Sequence, residues 1–135
     1  MPGAADRICE FAMPGPLRDQ LVDAVLRGEK TATSSLKVEW ELENEPLPLG
    51  GERQTVVDSK GEPVGTIEIL EAEVIRLADT DLGLARAEGE GFASVAEWRE
   101  AHEHFWSEEV LPRLPSAATL SDDTLVVVER FRLVS

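Results

Sequence analysis

The hydrophobic pattern changes period at a glycine, and this fixes much of what the chain can become. Leu17, Leu21, Val22, Val25 and Leu26 recur at helical spacing, with Arg18, Asp19, Asp23 and Arg27 on the other face. Pro16 sits where a helix can begin, because the first helical N–H has no partner within the helix. Gly28 follows the last apolar residue, where glycine takes the left-handed conformation that stops a helix. Directly behind it, Glu29-Lys30-Thr31-Ala32-Thr33-Ser34-Ser35 places one lysine and four hydroxyls beside a rigid element. Such a segment can be an activated nucleophile, a phosphate clamp or a solvated turn, and the local sequence leaves all three open.

The rest of the chain alternates between strand and helix signals. Leu36 to Glu43 reads as a short helix or an irregular strand, and Pro46 and Pro48 then force extended chain. Arg53 to Asp58 reads as a strand, Ser59-Lys60-Gly61 as a hairpin turn and Val64 to Leu77 as a long strand, with a bulge expected near Ala72. Asp79 to Ala87 reads as a short helix or turn. Ser94 and Glu97 form a capping-box pattern for a helix that starts at Val95 and runs to about Leu111, before Pro112 and Pro115. Its stripe is Val95, Trp98, His102, Phe105 and Trp106. Thr124 to Val134 is a closing strand, with Val126, Val128 and Arg130 facing opposite to Leu125, Val127 and Phe131. Residues 1–14 read as a loosely held arm, with Cys9, Phe11 and Met13 alternating against Glu10 and Ala12. Helix, strands, helix, strand predicts an α+β fold, a small mixed sheet or barrel with packed helices.

Composition narrows the function classes. A chain of 135 residues that is 42% hydrophobic and 30% charged fits one globular domain. No apolar run approaches the roughly 20 residues that span a bilayer. The start has no basic, hydrophobic leader pattern and Cys9 is the single cysteine, which predicts a cytoplasmic protein without a disulfide or a cysteine-based zinc site. The net charge of −14 works against non-specific nucleic-acid binding, which needs a basic footprint. A small polar cleft on an acidic body remains compatible with it.

Four groups of residues carry candidate chemistry. Lys30 beside Thr33 can act as a base when desolvated, or stabilise an oxyanion or phosphate when charged. Glu88 and Glu90, flanked by Gly89 and Gly91, can repel each other enough to raise one carboxyl, so that Glu90 becomes a proton carrier. His102 and His104, two apart on a helix, point to different faces and make a poor metal pair. His102 therefore reads as a hydrogen-bonded core or cleft histidine, and His104 as exposed. Trp98 and Trp106 read as core, and Trp40 as a possible platform for stacking a base. Cys9 has no activating neighbour beyond Arg7, so a catalytic thiol is not expected. No cofactor motif and no metal site is identified.

Together these stretches resemble a known family. Gly28-Glu29-Lys30-Thr31-Ala32-Thr33-Ser34-Ser35-Leu36 resembles the signature of the ASCH domain family, a relative of the PUA domain. Ala87-Glu88-Gly89-Glu90-Gly91, followed by Trp98-Arg99, His102 and Phe105, is similar to its acidic loop and second helix. Val126 to Phe131 is similar to its closing strand. The resemblance covers roughly residues 11–134 and implies a single PUA-like domain over residues 11–135, a small β-barrel with flanking helices, behind an arm of residues 1–10. Phe92 departs from the pattern, standing where related sequences commonly carry an aspartate, as does Val127 where many carry a cysteine.

The resemblance also implies an RNA-related role, with RNA or a modified nucleoside as partner. Two activities are known in the wider family, cleavage of single-stranded RNA and amide hydrolysis of acetylated cytidine. It implies Lys30, Thr33 and a loop glutamate as the catalytic set, with Glu90 the better fit and Glu88 the alternative. Gly28, Ser34, Ser35, Trp40, Glu88 and Arg99 are the expected substrate-binding residues. The reading favoured at this level is a ribonuclease acting on single strands. An amidohydrolase for an acetylated nucleoside and a non-catalytic RNA-binding module are the alternatives.

Overall fold

The computed structural model describes residues 7–114 and 119–134. Five strands form one sheet in the order β1-β3-β4-β5-β2. They are β1 (Arg7–Cys9), β2 (Ala32–Leu36), β3 (Arg53–Val57), β4 (Pro63–Arg76) and β5 (Leu125–Leu133). All pairings are antiparallel except the parallel β1–β3 pair. The outer strands β1 and β2 do not pair with each other, so the α+β class holds but the sheet is not closed into the barrel that the resemblance implies.

Helix α1 (Pro16–Leu26) begins at its proline and is followed by Gly28, whose φ of 80° is the left-handed stop the sequence predicts. One expected exposed residue is buried. Arg18 is covered because its guanidinium donates to the carbonyls of Phe11 and Ala12 at 3.0 and 2.9 Å. That clamp, together with the pairing of β1 with β3, makes residues 7–12 part of the body and not a loose arm. Residues 1–6 lie outside the described residues.

The ambiguous segment resolves as helix α2 (Lys37–Leu42), in which Glu39 accepts from the Leu36 backbone N–H at 3.2 Å. The bulge in β4 falls between Ile69 and Glu71, just before the expected Ala72. Two short helical turns, Leu77–Asp79 and α3 (Leu82–Ala87), lead to the acidic loop. Helix α4 (Val95–Phe105) is capped by Ser94, which accepts from Glu97 N–H at 3.1 Å as the capping pattern predicts. It widens into a π turn at Trp106–Val110 and ends in the 3₁₀ turn Leu111–Arg113. Pro112 lies in that terminating turn, whereas Pro115 is outside the described residues.

Two cores sandwich the sheet. Phe11, Val22, Val25, Ile67, Ile69 and Phe131 pack under α1. Ala32, Leu36, Trp98, Trp106, Val126 and Val128 pack under α3 and α4. Strand β5 lies between β4 and β2, so Val126, Val127 and Val128 are all buried and the expected two-faced alternation is hidden by cover on both sides. Full burial of Val127 also explains why an apolar residue suits that position.

Candidate active site

The acidic loop reaches Lys30 through its glycine. Gly89 has φ 73°, and a Cβ there would lie 2.7 Å from Glu29 O and 2.8 Å from Lys30 Cα. Only glycine tolerates both the conformation and the approach. The Thr31 N–H donates to Ala87 O at 2.7 Å and fastens the loop to the start of β2. The turn after α1 is held from the other side, since Glu29 and Lys30 N–H both donate to Ala24 O. Lys30 and Glu88, 58 positions apart, are thereby pressed together at 2% and 1% exposure.

Around Glu88 a closed network forms. Lys30 Nζ donates to Ala32 O at 2.9 Å and Glu88 O at 3.3 Å, and lies 3.8 Å from Glu88 Oε1. Its charge also stands 5.5 Å from the centre of the Phe11 ring. Glu88 Oε2 accepts from Ser34 Oγ and Trp98 Nε1, both at 2.8 Å. His102 Nε2 meets Glu88 Oε1 at 3.0 Å, and His102 Nδ1 meets Trp98 O at 2.8 Å. Both imidazole nitrogens face acceptors, so the arrangement suits an imidazolium that donates twice. Burial opposes charge on Glu88, but the hydrogen bond from His102 and the Lys30 charge outweigh it and hold the carboxyl below its usual range. Burial likewise opposes charge on His102, and the Glu88 carboxylate outweighs it and raises the imidazole. The His102 ring is stacked on Trp98 at 4.1 Å, and Phe92 packs against it at 5.9 Å.

These groups border one cleft of about 710 Å³ between the unpaired edges of the sheet. Lys30, Thr33, Ser34, Ser35, Glu88 and Glu90 all line it, and so do Trp40 and His102. The Trp40 indole donates to Ser35 Oγ at 2.9 Å, which fixes its half-buried ring. Burial pushes the Glu90 carboxyl up, against the opposing pull of Lys30 and His102. Two sequence-predicted residues are elsewhere. Gly28 ends α1 and does not line the cleft. Arg99 does not line it either, because its guanidinium is engaged by Glu103 at 2.6 Å and Asp122 at 2.7 Å. Of the two loop glutamates, Glu88 makes the contacts to Lys30, whereas Glu90 was the better fit from sequence.

Lys30 and Thr33 share the cleft without a hydrogen bond between their side chains among the described residues. The reason is strand geometry. Thr33 stands opposite Glu129 on β5, and Ser34 stands opposite Val128. Opposed residues of an antiparallel pair share a face, and neighbours along a strand alternate. Ser34 therefore faces Glu88 and α4, while Thr33 faces the other side with Glu129. Glu129 is 9% exposed, and its carboxyl is pushed up to about 7 by burial, with Arg7 lowering it and Glu52 raising it. Glu129 carries no signal in the sequence, because a glutamate inside a Val-rich strand has no motif around it. Cys9 sits nearby with its thiol pushed up to about 12 by burial, with Glu129 adding to the rise, which fits an unreactive thiol.

Glu88, Glu90 and His102 offer ligand atoms within 4.8 Å of one another, a set of the kind that can hold a metal ion. The double donation by His102 works against it, because a ligating imidazole needs a free lone pair. No helix among the described residues is long and apolar enough to cross a membrane.

Comparison with known proteins agrees with this frame. No curated protein is significantly similar to the chain. Protein EF3133 from Enterococcus faecalis V583 is 26% identical, with a TM-score of 0.83 over 95% of this chain and 76% of that one. An ASCH domain from Lactobacillus crispatus JV V101 is 31% identical, with a TM-score of 0.83 over 94% of this chain and 78% of that one. The ASCH domain model matches residues 8–135. With that match spanning the arm-side strand, the Lys30 turn, the acidic loop and the closing strand, the chain belongs to the ASCH domain family.

Proposed function

We propose that this ASCH domain hydrolyses the amide of a small, uncharged acylated nucleoside of the acetylcytidine kind. The observation that carries this reading is the charge of the cleft. Nine glutamates line it, against one lysine, one arginine and two histidines. Lys30 is moreover already surrounded by two carbonyls and a carboxylate. A polyanionic strand meets repulsion in such a cleft, whereas a neutral nucleoside does not.

Thr33 supplies the nucleophilic hydroxyl, and the acyl group passes to its oxygen. The Lys30 charge, held rigidly at the cleft wall, offsets negative charge that develops on the acyl oxygen. Lys30 is better placed for that than for taking a proton, since two carbonyls and the Glu88 carboxylate surround and favour its charged form. Glu88 fixes Lys30 and Ser34. Glu90, with its carboxyl raised by burial, returns a proton to the leaving amine. Ser35 holds Trp40, whose ring offers a surface on which the base can stack.

Incubation of the protein with acetylcytidine tests the reading. Release of acetate and cytidine, abolished in Thr33→Ala, is the expected result. Absence of turnover across a panel of acylated nucleosides removes it. The second reading, a ribonuclease for single-stranded RNA, is favoured by Trp40 at the cleft, because splayed bases stack on aromatic rings. RNA cleavage that disappears in Lys30→Ala selects it. Saturable RNA binding without product selects the binding-module reading.

A further inference from the structure

The proposed reaction leaves one proton without a destination. Attack by Thr33 frees its hydroxyl proton, and Glu88, unlike Glu90, is already held by a full set of partners. Ser34 and Trp98 donate to one Glu88 oxygen and His102 meets the other, with Lys30 3.8 Å away, so this carboxylate is bound up in holding its neighbours. The face that Thr33 does share holds one acidic group directly across the strand pair, Glu129. Directly opposed side chains begin about 5 Å apart at their Cβ atoms, which a glutamate spans easily.

Three further features distinguish Glu129 from a structural acid. It lines the same cleft as Thr33. It is more than nine-tenths buried. No donor among the described residues bonds its carboxylate, although no fully buried side-chain polar atom there lacks a partner. Its oxygens therefore reach the cleft and remain available to it. The surrounding elements leave it so. From β1, Arg7 attracts it but is itself drawn to Glu45 at 3.9 Å and Glu52 at 3.6 Å. Cys9, also on β1, carries an un-ionised thiol. Next to β3, Glu52 repels it. Gln54 on β3 lines the cleft too, but its amide donates to Glu52 at 2.8 Å. Its β4 neighbour is Ala72, which carries no charge.

We infer that Glu129 is the base that takes the Thr33 hydroxyl proton. This inference rests on the amidohydrolase reading above. The Thr33 O–H bond breaks as the oxygen bonds the acyl carbon, and the proton goes to Glu129. The carbon–nitrogen bond then breaks, and the leaving amine takes its proton from Glu90. Water next attacks the acyl-threonine, gives a proton to the ionised Glu90, and Thr33 oxygen recovers its own proton from Glu129. Carboxylic acid and amine leave, and every enzyme group returns to its starting state.

The test compares wild type, Thr33→Ala, Glu129→Gln and Glu129→Asp on acetylcytidine from pH 5 to 9. Glu129→Gln is expected to lower kcat about 100-fold with KM unchanged. It should also abolish the fall in rate below about pH 7, with acyl-Thr33 no longer trapped in mass spectra. Glu129→Asp should retain part of kcat and keep the acidic limb. Should Glu129→Gln keep the wild-type kcat and acidic limb while Thr33→Ala is inactive, the base is another group and the inference falls, with the amidohydrolase reading intact. Should wild type turn over no acylated nucleoside, that reading fails and takes the inference with it. Carbon-13 titration of the Glu129 carboxyl in the wild-type protein gives a readout free of both activity and variant folding. A midpoint near 7 supports the inference, and one near 4.5 overturns it.

Discussion

The two faces of strand β2 carry buried glutamates with opposite properties. On the Ser34 face, Glu88 is met by Ser34, Trp98, His102 and Lys30, and its carboxyl lies below the usual range. On the Thr33 face, Glu129 has no donor among the described residues and its carboxyl rises to about 7. Burial pushes both upward, so burial alone does not set their roles. Partners decide: a fully bonded carboxylate is a fixed anion that holds other groups in place, and an unbonded one can exchange a proton near neutral pH. In the proposed reaction Glu88 is therefore a support, and Glu129 the group that exchanges a proton with Thr33.

The largest effect expected from breaking this contrast is on the support. Glu88→Ala leaves the charges of Lys30 and His102 buried without their anion and should destabilise the fold by about 3–5 kcal/mol. Urea denaturation checks this, and a loss below about 1 kcal/mol would show the network to be dispensable. Thr33→Ala should do the reverse, with acyl hydrolysis down at least about 100-fold and stability within about 1 kcal/mol of wild type.

Next comes the pH dependence of Glu129. Its folded value lies above the unfolded one, so the folded state keeps the proton longer and the wild type loses stability as pH rises from 4.5 through about 7. Glu129→Gln cannot ionise, and its stability relative to wild type should improve between pH 4 and pH 8 by on the order of 2 kcal/mol. A pH-independent difference in urea midpoint would contradict the burial of a free carboxylate.

Glu88 and His102 titrate in opposite senses. The raised His102 contributes fully below its unfolded value of 6.5 and loses that contribution as pH rises through the folded value. The lowered Glu88 contributes fully above 4.5 and loses that contribution as pH falls through its folded value. The stability gap between wild type and His102→Gln should thus be widest between about pH 4.5 and 6.5 and narrow by pH 9. Equal gaps at pH 5.5 and 9 would remove the imidazolium. The smallest effect belongs to Arg99, whose partners are on the surface. Arg99→Ala should cost less than about 0.5 kcal/mol and leave hydrolysis unchanged.

Much of this was legible in the chain. Helical spacing before Gly28, the Ser94–Glu97 cap and the Trp98–Trp106 stripe are local signals, and local physics decides them. The two glycines around Glu90 marked the acidic loop as a place of close approach. The choice between its glutamates was not legible, because it depends on which carboxylate Gly89 lays against Lys30, 58 positions earlier. Arg99 looked like a cleft residue from its motif, but Asp122, on a distant turn, draws it outward. Sequence by itself determined where α1 and α4 begin and where α1 stops, and that one lysine and its hydroxyls follow that stop. Tertiary structure alone decided that Thr33 shares a face with Glu129 and not with Glu88. Strand register is a relation between segments 96 positions apart, and a one-residue slip would have exchanged the two faces.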